Sequence, residues 1–381
     1  METNAKISVL MCTNKQIFTQ NISNLAYATL LQWKRCIPTS LIIWKLTLFF
    51  AMGFFLNAMA IAKENHDKSH LQIDFTDHTH VHSMKQEWID KKIKYEEGME
   101  SSDLVISLGQ QTYHALHDMI EKLAKRRNLN VIVHSGSCGK TSKKLRRKSI
   151  DIGAYCCPPM KGDRLPGLEF HTVGIAPLAF LVNPSNALDN LSSDDALAIY
   201  NGTYIKWSEV PSGNKKTLLD ELIKPVIRLH CKKRPGHWKS FIESEDKMST
   251  RLYEVGITPD LINIVASDEK AIGIETVMMK DIFKKNRTLK VLKVNGHKPD
   301  DVNPLLKGEY PAYRTFNLTT WTSKGKNRKL AKDFVKEIIE YVNSTPKTGF
   351  VSPKQLKDAG WKFHKNELIA NPQGFFETHK H

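Results

Sequence analysis

The stretch VIVHSGSCGKTSKKLRRKSIDIGAYCCPP, residues Val131 to Pro159, holds two short apolar runs that each deliver a loop of small residues. Val131 to Val133 is β-branched and predicts a strand. Ser135, Gly136, Ser137, Cys138, Gly139, Lys140 and Thr141 then make a turn that opens a basic helix reaching about Arg147. A strand that feeds a polar loop and then a helix start suits an anion. The first amides of the helix lack intrahelical acceptors, the dipole favours negative charge, and glycine lets the backbone come close. Asp151 to Tyr155 reads as a second buried strand, ending in Cys156 and Cys157 before the Pro158-Pro159 stop. Both loops are expected at one cleft.

Outward from this stretch the chain alternates strands and helices. Leu104 to Ser107 predicts a strand, and Gly109-Gln110-Gln111-Thr112 leads into a helix whose Leu116, Ile120 and Leu123 share a face. Val173 to Val182 predicts a long strand of a length that suits a crossing between lobes. Leu191 to Tyr200 reads as a helix capped by Ser192 or Ser193. Pro225 to Leu229 predicts a short strand with Arg228, His230 and Cys231 at its end, followed by a helix from about His237 to Glu243. Val265 to Ser267 and Ala271 to Glu275 read as strand, turn and strand. Tyr310 to Trp321 predicts a second long strand, Leu330 to Val342 an amphipathic helix, and the tail from Pro353 a further short helix.

Composition sets outer limits. A chain of 381 residues with 41% apolar content can bury a large core, which excludes a disordered protein. A net charge of +16 points to an anionic partner. The basic residues are scattered without an aromatic-basic ladder, so a nucleic-acid partner is not expected. Lys34, Arg35 and Lys45 precede the apolar run Leu46 to Ala62, and Ala60-Ile61-Ala62 before Lys63 fits a small-x-small cleavage site. That reads as an export signal with a long leading region, giving a periplasmic or otherwise extracytoplasmic location. Read back to Leu41, the run is instead an uncleaved membrane anchor. The following segment, to about Ser101, is polar, and its His78, His80 and His82 alternate so that an extended backbone places them on one side, a candidate metal site or a solvated linker.

Five local patterns, in order between about Leu104 and Val342, resemble the phosphate-type periplasmic solute-binding proteins of ABC importers. HSGSCGK at His134 to Lys140 is similar to the family's anion loop, and DIGAYCCPP at Asp151 to Pro159 to its next strand and loop. NPSNALDNLSSDDALAIYNGTYIKWSEV, Asn183 to Val210, is similar to the crossover into the second lobe. VASDEKAIGIE at Val265 to Glu275 and GEYPAYR at Gly308 to Arg314 are similar to the late strands and the return crossing. The resemblance implies an α/β, two-lobed periplasmic-binding-protein-like fold (type 2), with mixed sheets, helices on both faces and a two-strand hinge. After the signal or anchor over 1–62 and the His-rich extension over 63–101, it divides the chain into a first lobe over 102–183, a second over 184–309, and a return to the first over 310–381. It further implies a cleft that takes phosphate or a phosphate-like oxyanion non-covalently for an ABC permease or a membrane sensor; a monomer without cofactor is expected, and no enzyme, since the loops hold no nucleophile, base and orienting-acid set. On that reading Gln111, Thr112, Ser135, Ser137, Gly139, Lys140 and Arg228 line the site.

Two departures stand against that pattern. Tyr155 and Cys156 replace the Ser and Asp that the family's third loop commonly carries, and Arg228-Leu229-His230-Cys231-Lys232-Lys233-Arg234 replaces a Ser/Gly-rich loop. In their place Cys138, Cys156, Cys157 and Cys231 fall on cleft loops. They are open to three readings: a disulfide, with Cys138 to Cys156 or Cys157 favoured; thiols packed as small hydrophobes; or a soft-metal, metalloid or redox-sensing site.

Overall fold

The computed structural model describes residues 75–211, 220–228, 242, 245–279, 288–310, 312–322, 326–345 and 348–372, all within one compact unit spanning Ser69–His381. The proposed signal, Cys231, His230 and His237 lie outside the described residues.

After a short helix α1 (Gln86–Asp90), β1 (Leu104–Gly109), α2 (Gln110–Arg126), β2 (Val131–Gly136), α3 (Cys138–Arg147) and β3 (Ile152–Tyr155) form two successive strand–helix–strand units. β1 is fully buried and pairs parallel with β2 on one side and β3 on the other. The chain therefore steps from β1 outward to β2 and back across to β3. That reversal opens a crevice beyond the carboxyl ends of the three strands, where α/β sheets take ligands. Leu116, Ile120 and Leu123 fasten α2 to this sheet, each burial contributing about 1.5–3 kcal/mol. At Gly153 a Cβ would stand 2.6 Å from Leu145 Cδ1, so glycine is what lets α3 lie this close to β3.

β4 (Leu168–Val182) is one strand of 15 residues, about 50 Å at roughly 3.3 Å per residue. Its first part pairs antiparallel with β11 (Tyr313–Trp321), from Leu168↔Trp321 to Pro177↔Tyr313. From Leu178↔Thr276 to Val182↔Ile272 it pairs instead with β8 (Ala271–Thr276). The partner changes at Pro177, which has no N–H to give. Beside that point Leu178 N–H donates to Ala312 O at 2.9 Å, and the Tyr310 hydroxyl donates to Leu178 O at 2.5 Å.

Between the crossings lie β5 (Asn190–Leu191), α4 (Ser193–Asn201), β6 (Lys224–Ile227), β7 (Tyr253–Glu254), α5 (Thr258–Ser267), β9 (Lys290–Val291), β10 (Lys293–Val294) and α6 (Val302–Lys307). The main sheet runs β2-β1-β3-β11-β4-β8-β6-β7, with β9 also on β4. β6 is parallel to both β8 and β7. After β11, α7 (Lys326–Ser344) returns to the first lobe, followed by α8 (Pro353–Asp358) and a hairpin of β12 (Lys362–His364) and β13 (Glu367–Ala370). The strands at β4 and β11 thus join two α/β lobes; one apolar core fills the first lobe, and another combines second-lobe residues with Leu356, Trp361 and Leu368 of the C-terminal segment. Among the described residues no helix is long and apolar enough to cross a membrane.

Val265 to Ser267 departs from its strand reading: it is the last turn of α5, because Leu261, Ile262 and Val265 share a buried helical face and Pro259 sits in the first turn. The described part of the polar extension is docked rather than a solvated linker. Trp88, Ile93, Tyr95 and Met99 pack on the first-lobe core, and the Tyr95 hydroxyl donates to Asp151 Oδ2 at 2.6 Å.

Candidate functional site

The carboxyl ends of β1, β2 and β3 meet the second lobe around a cavity of about 280 Å³. Gln110 and Gln111 enter it from the first turn of α2. Gly109 caps that helix without a side-chain hydrogen bond, and the first-turn residues Gln110 and Gln111 stand on the cavity wall. Ser135, Gly136, Ser137, Cys138 and Lys140 line it from the β2–α3 loop. Here Ser137 is the N-cap, accepting from Lys140 N–H at 3.2 Å, and neither α2 nor α3 has an acidic residue in its first turn. Cys156 lines the cavity from the end of β3, Arg314 from β11 and Arg228 from the end of β6. Two helix N-termini and three cationic side chains converge, and none of the ten lining residues is a carboxylate.

Arg228 is 3% exposed and reaches across to a first-lobe side chain, Nη1 donating to Gln110 Oε1 at 3.0 Å. Its charge is balanced inside the second lobe, where Nη2 donates to Glu275 Oε2 at 2.6 Å. The buried Glu275 also accepts from Thr258 Oγ1 at 3.1 Å, from Thr276 N–H at 2.8 Å and from Gln111 Nε2 across the cleft. Gln111 Oε1 is left buried with no hydrogen-bond partner among the described residues. Arg314, 4% exposed, donates from Nη1 to Cys156 Sγ at 3.0 Å and to Cys156 O at 3.4 Å. Of the three cationic side chains on the cavity wall, Arg228 is bound to its own carboxylate, and Arg314 is fixed on Cys156.

Cys138, Cys156 and Cys157 are buried thiols, not disulfides, with Cys138 Sγ and Cys156 Sγ 3.8 Å apart. Contact with the Cys138 thiol pushes the Cys156 thiol up and burial adds to this, while Cys157 and Arg314 oppose it. Contact with the Cys138 and Cys156 thiols, together with burial, holds Cys157 well above the ordinary thiol range.

Gln111, Ser135, Ser137, Cys138, Lys140, Cys156 and Arg228 are thus gathered on one cavity, whereas Thr112, Gly139 and Cys157 are not on its wall. Thr112 is turned back to its own helix start, its hydroxyl donating to Gly109 O at 2.7 Å. The alternating histidines do not converge. His78 and His80 line a separate cavity where the His78 ring lies tilted against that of His364, centroids 4.6 Å apart, and His82 Nε2 lies 3.2 Å from Arg146 Nη1. Among the described residues no group of three His, Cys, Asp or Glu is placed to hold a metal ion. Arg314 and Glu275 are the side chains that sequence reading passed over. Each is a lone charge in an otherwise apolar or neutral strand, and a buried charge requires a partner or a ligand.

No protein-family model matches the chain, and no curated protein sequence matches it. Among solved structures it is similar to an ABC-type phosphate transport receptor from Vibrio cholerae, with 17% identity over 68% of this chain and 98% of that one and a TM-score of 0.50. It is also similar to a putative phosphate ABC transporter substrate-binding protein with bound phosphate from Clostridium perfringens, with 17% identity over 63% and 97% and a TM-score of 0.51. The chain has the two-lobed α/β fold of type 2 periplasmic-binding-protein-like structures, with mixed sheets, flanking helices and two connecting strands.

Proposed function

We propose that the protein is an extracytoplasmic solute-binding protein that captures a small oxyanion between its lobes, without covalent chemistry, for an ABC permease or a membrane sensor. One observation carries this reading: two helix N-termini, the Arg314 guanidinium and Lys140 face a single cavity that no carboxylate lines. Preorganised amides and a fixed guanidinium replace an anion's hydration shell without a metal. The fold shared with phosphate receptors supports the same reading, as does the net charge of +16.

Thermal unfolding of the protein against phosphate, sulfate, arsenate and molybdate tests it. At a hundredfold excess over Kd a specific anion stabilises the fold by about 2.7 kcal/mol. Lys140→Ala, an exposed change, and Arg314→Gln should each weaken binding, the latter by roughly tenfold to a hundredfold, since a hydrogen bond to a charged group contributes about 1.5–3 kcal/mol. If no oxyanion raises the melting temperature of the folded wild type, the proposal fails.

A further inference from the structure

We infer that Cys138 and Cys156 form a reversible dithiol–disulfide pair in the wall of the cleft, a redox modification site whose reaction partner is a small-molecule disulfide. Four observations converge on this pair. The two sulfurs are 3.8 Å apart, and closing to a bond of about 2.05 Å requires about 1.8 Å of movement shared between two side chains. Both residues line the cavity of about 280 Å³, so an oxidant reaches them from the same space the proposed anion uses. They sit on elements 18 residues apart in sequence, the first residue of α3 and the loop after β3, so the bond would cross-link two segments of the site. Cys157, though adjacent in sequence and buried, is not on the cavity wall.

The step balances as thiol–disulfide exchange. One thiol of the pair, as thiolate, attacks a sulfur of the small disulfide, forming a mixed disulfide and expelling one small thiolate. The second thiol loses its proton and attacks the protein sulfur of that intermediate, closing the Cys138–Cys156 bond and expelling the second small thiolate. The protein dithiol is oxidised by two electrons and the small disulfide is reduced to two thiols. Because Cys156 is held protonated, exchange is slow at neutral pH and quickens as pH rises.

Oxidation acts on the anion site through Arg314. The Cys156 sulfur that accepts from Arg314 Nη1 becomes part of a disulfide, a poorer acceptor, which weakens one of the contacts that fix the guanidinium on the cavity wall and shifts its donor towards an anion. This second half rests on the oxyanion reading, and the bond itself does not.

The full chain is equilibrated at pH 8.5 with oxidised and reduced glutathione mixtures in the absence of anion, then acid-quenched, alkylated and mapped by mass spectrometry. The expected result is loss of two alkylatable thiols and a cross-linked peptide joining the Cys138 segment to the Cys156-Cys157 segment, reversed by dithiothreitol. Cys156 and Cys157 share a tryptic peptide, so variants assign the bond: Cys156→Ser and Cys138→Ser abolish the cross-link, and Cys157→Ser retains it. A cross-link that survives Cys156→Ser, one that runs to Cys231, or thiols that stay reduced throughout would overturn the inference. Anion-induced thermal shifts of the oxidised and reduced forms are measured separately. A larger shift for the oxidised form is expected, and equal shifts would overturn the Arg314 link while the mapped bond stands on its own.

Discussion

At the scale of single residues, the charge that organises the second lobe's side of the cleft is Glu275. Its carboxylate is fully buried and takes hydrogen bonds from Arg228, Thr258, Thr276 and Gln111. A buried ion pair of this kind adds little net stability as a pair, but removing one partner leaves an uncompensated charge at a cost of about 3–5 kcal/mol. Glu275→Gln keeps the side chain's shape and strands the Arg228 guanidinium beside the cavity. Stability in urea should therefore fall by about 3 kcal/mol in anion-free buffer, and an added oxyanion should restore more of it than the same anion adds to the wild type. Equal increments in the two proteins would show that Arg228 and the anion do not share an electrostatic environment.

At the scale of elements, the seam where β4, β11 and the C-terminal hairpin meet holds a buried histidine. His171 Nε2 lies 2.8 Å from Thr320 Oγ1, and Asn366 Nδ2 lies 3.3 Å from Nδ1. Burial lowers its pKa to about 4 from the ordinary 6.5, with Glu169 opposing and Lys332 adding. Between those values the unfolded chain binds a proton that the fold refuses. Stability is then complete above about pH 6.5 and is lost as pH falls towards 4, by roughly 3 kcal/mol in total. His171→Gln, which keeps a donor and an acceptor for Thr320 and Asn366, should flatten that part of the urea-derived stability profile. Parallel profiles for variant and wild type would exclude His171 as its source. The strand ends that build the cavity were legible because each advertises itself locally, as in the β-branched run of β2 breaking into Ser135 to Gly139. The two crossings were legible from the length of their apolar runs. Val265 to Ser267 was not, since three residues cannot distinguish a strand from a helix's last turn. Glu275 and Arg314 were hidden for a different reason: their partners, Arg228 and Cys156, stand 47 and 158 residues away, and no local pattern encodes that pairing.

At the scale of the whole molecule, the lobes are held by two kinds of tie with different strengths. The covalent tie is the pair of crossings, where β4 changes partner at Pro177 and Tyr310 and Ala312 bond to Leu178. The non-covalent ties are the cross-cleft contacts, where Gln110 meets Arg228 and Gln111 meets Glu275, and the C-terminal segment, whose Trp361 packs in the second lobe's core and donates from Nε1 to Leu306 O at 2.8 Å. Domains joined by short crossings and a polar interface move relative to one another by default, and a ligand shifts that equilibrium only through contacts it makes in the closed state. The Gln110 and Gln111 contacts supply closure without ligand, and an oxyanion bridging the α2 and α3 amide ends to Arg314 and Arg228 would add to it. Replacing both glutamines by alanine therefore removes the cross-cleft part of the ligand-free tie while leaving the C-terminal packing, the helix amides, Lys140 and Arg314 in place. Small-angle scattering should show a larger radius of gyration for the double variant in anion-free buffer, returning towards the wild-type value as oxyanion is added. A radius unchanged by the substitutions would mean that the crossings alone set the separation of the lobes.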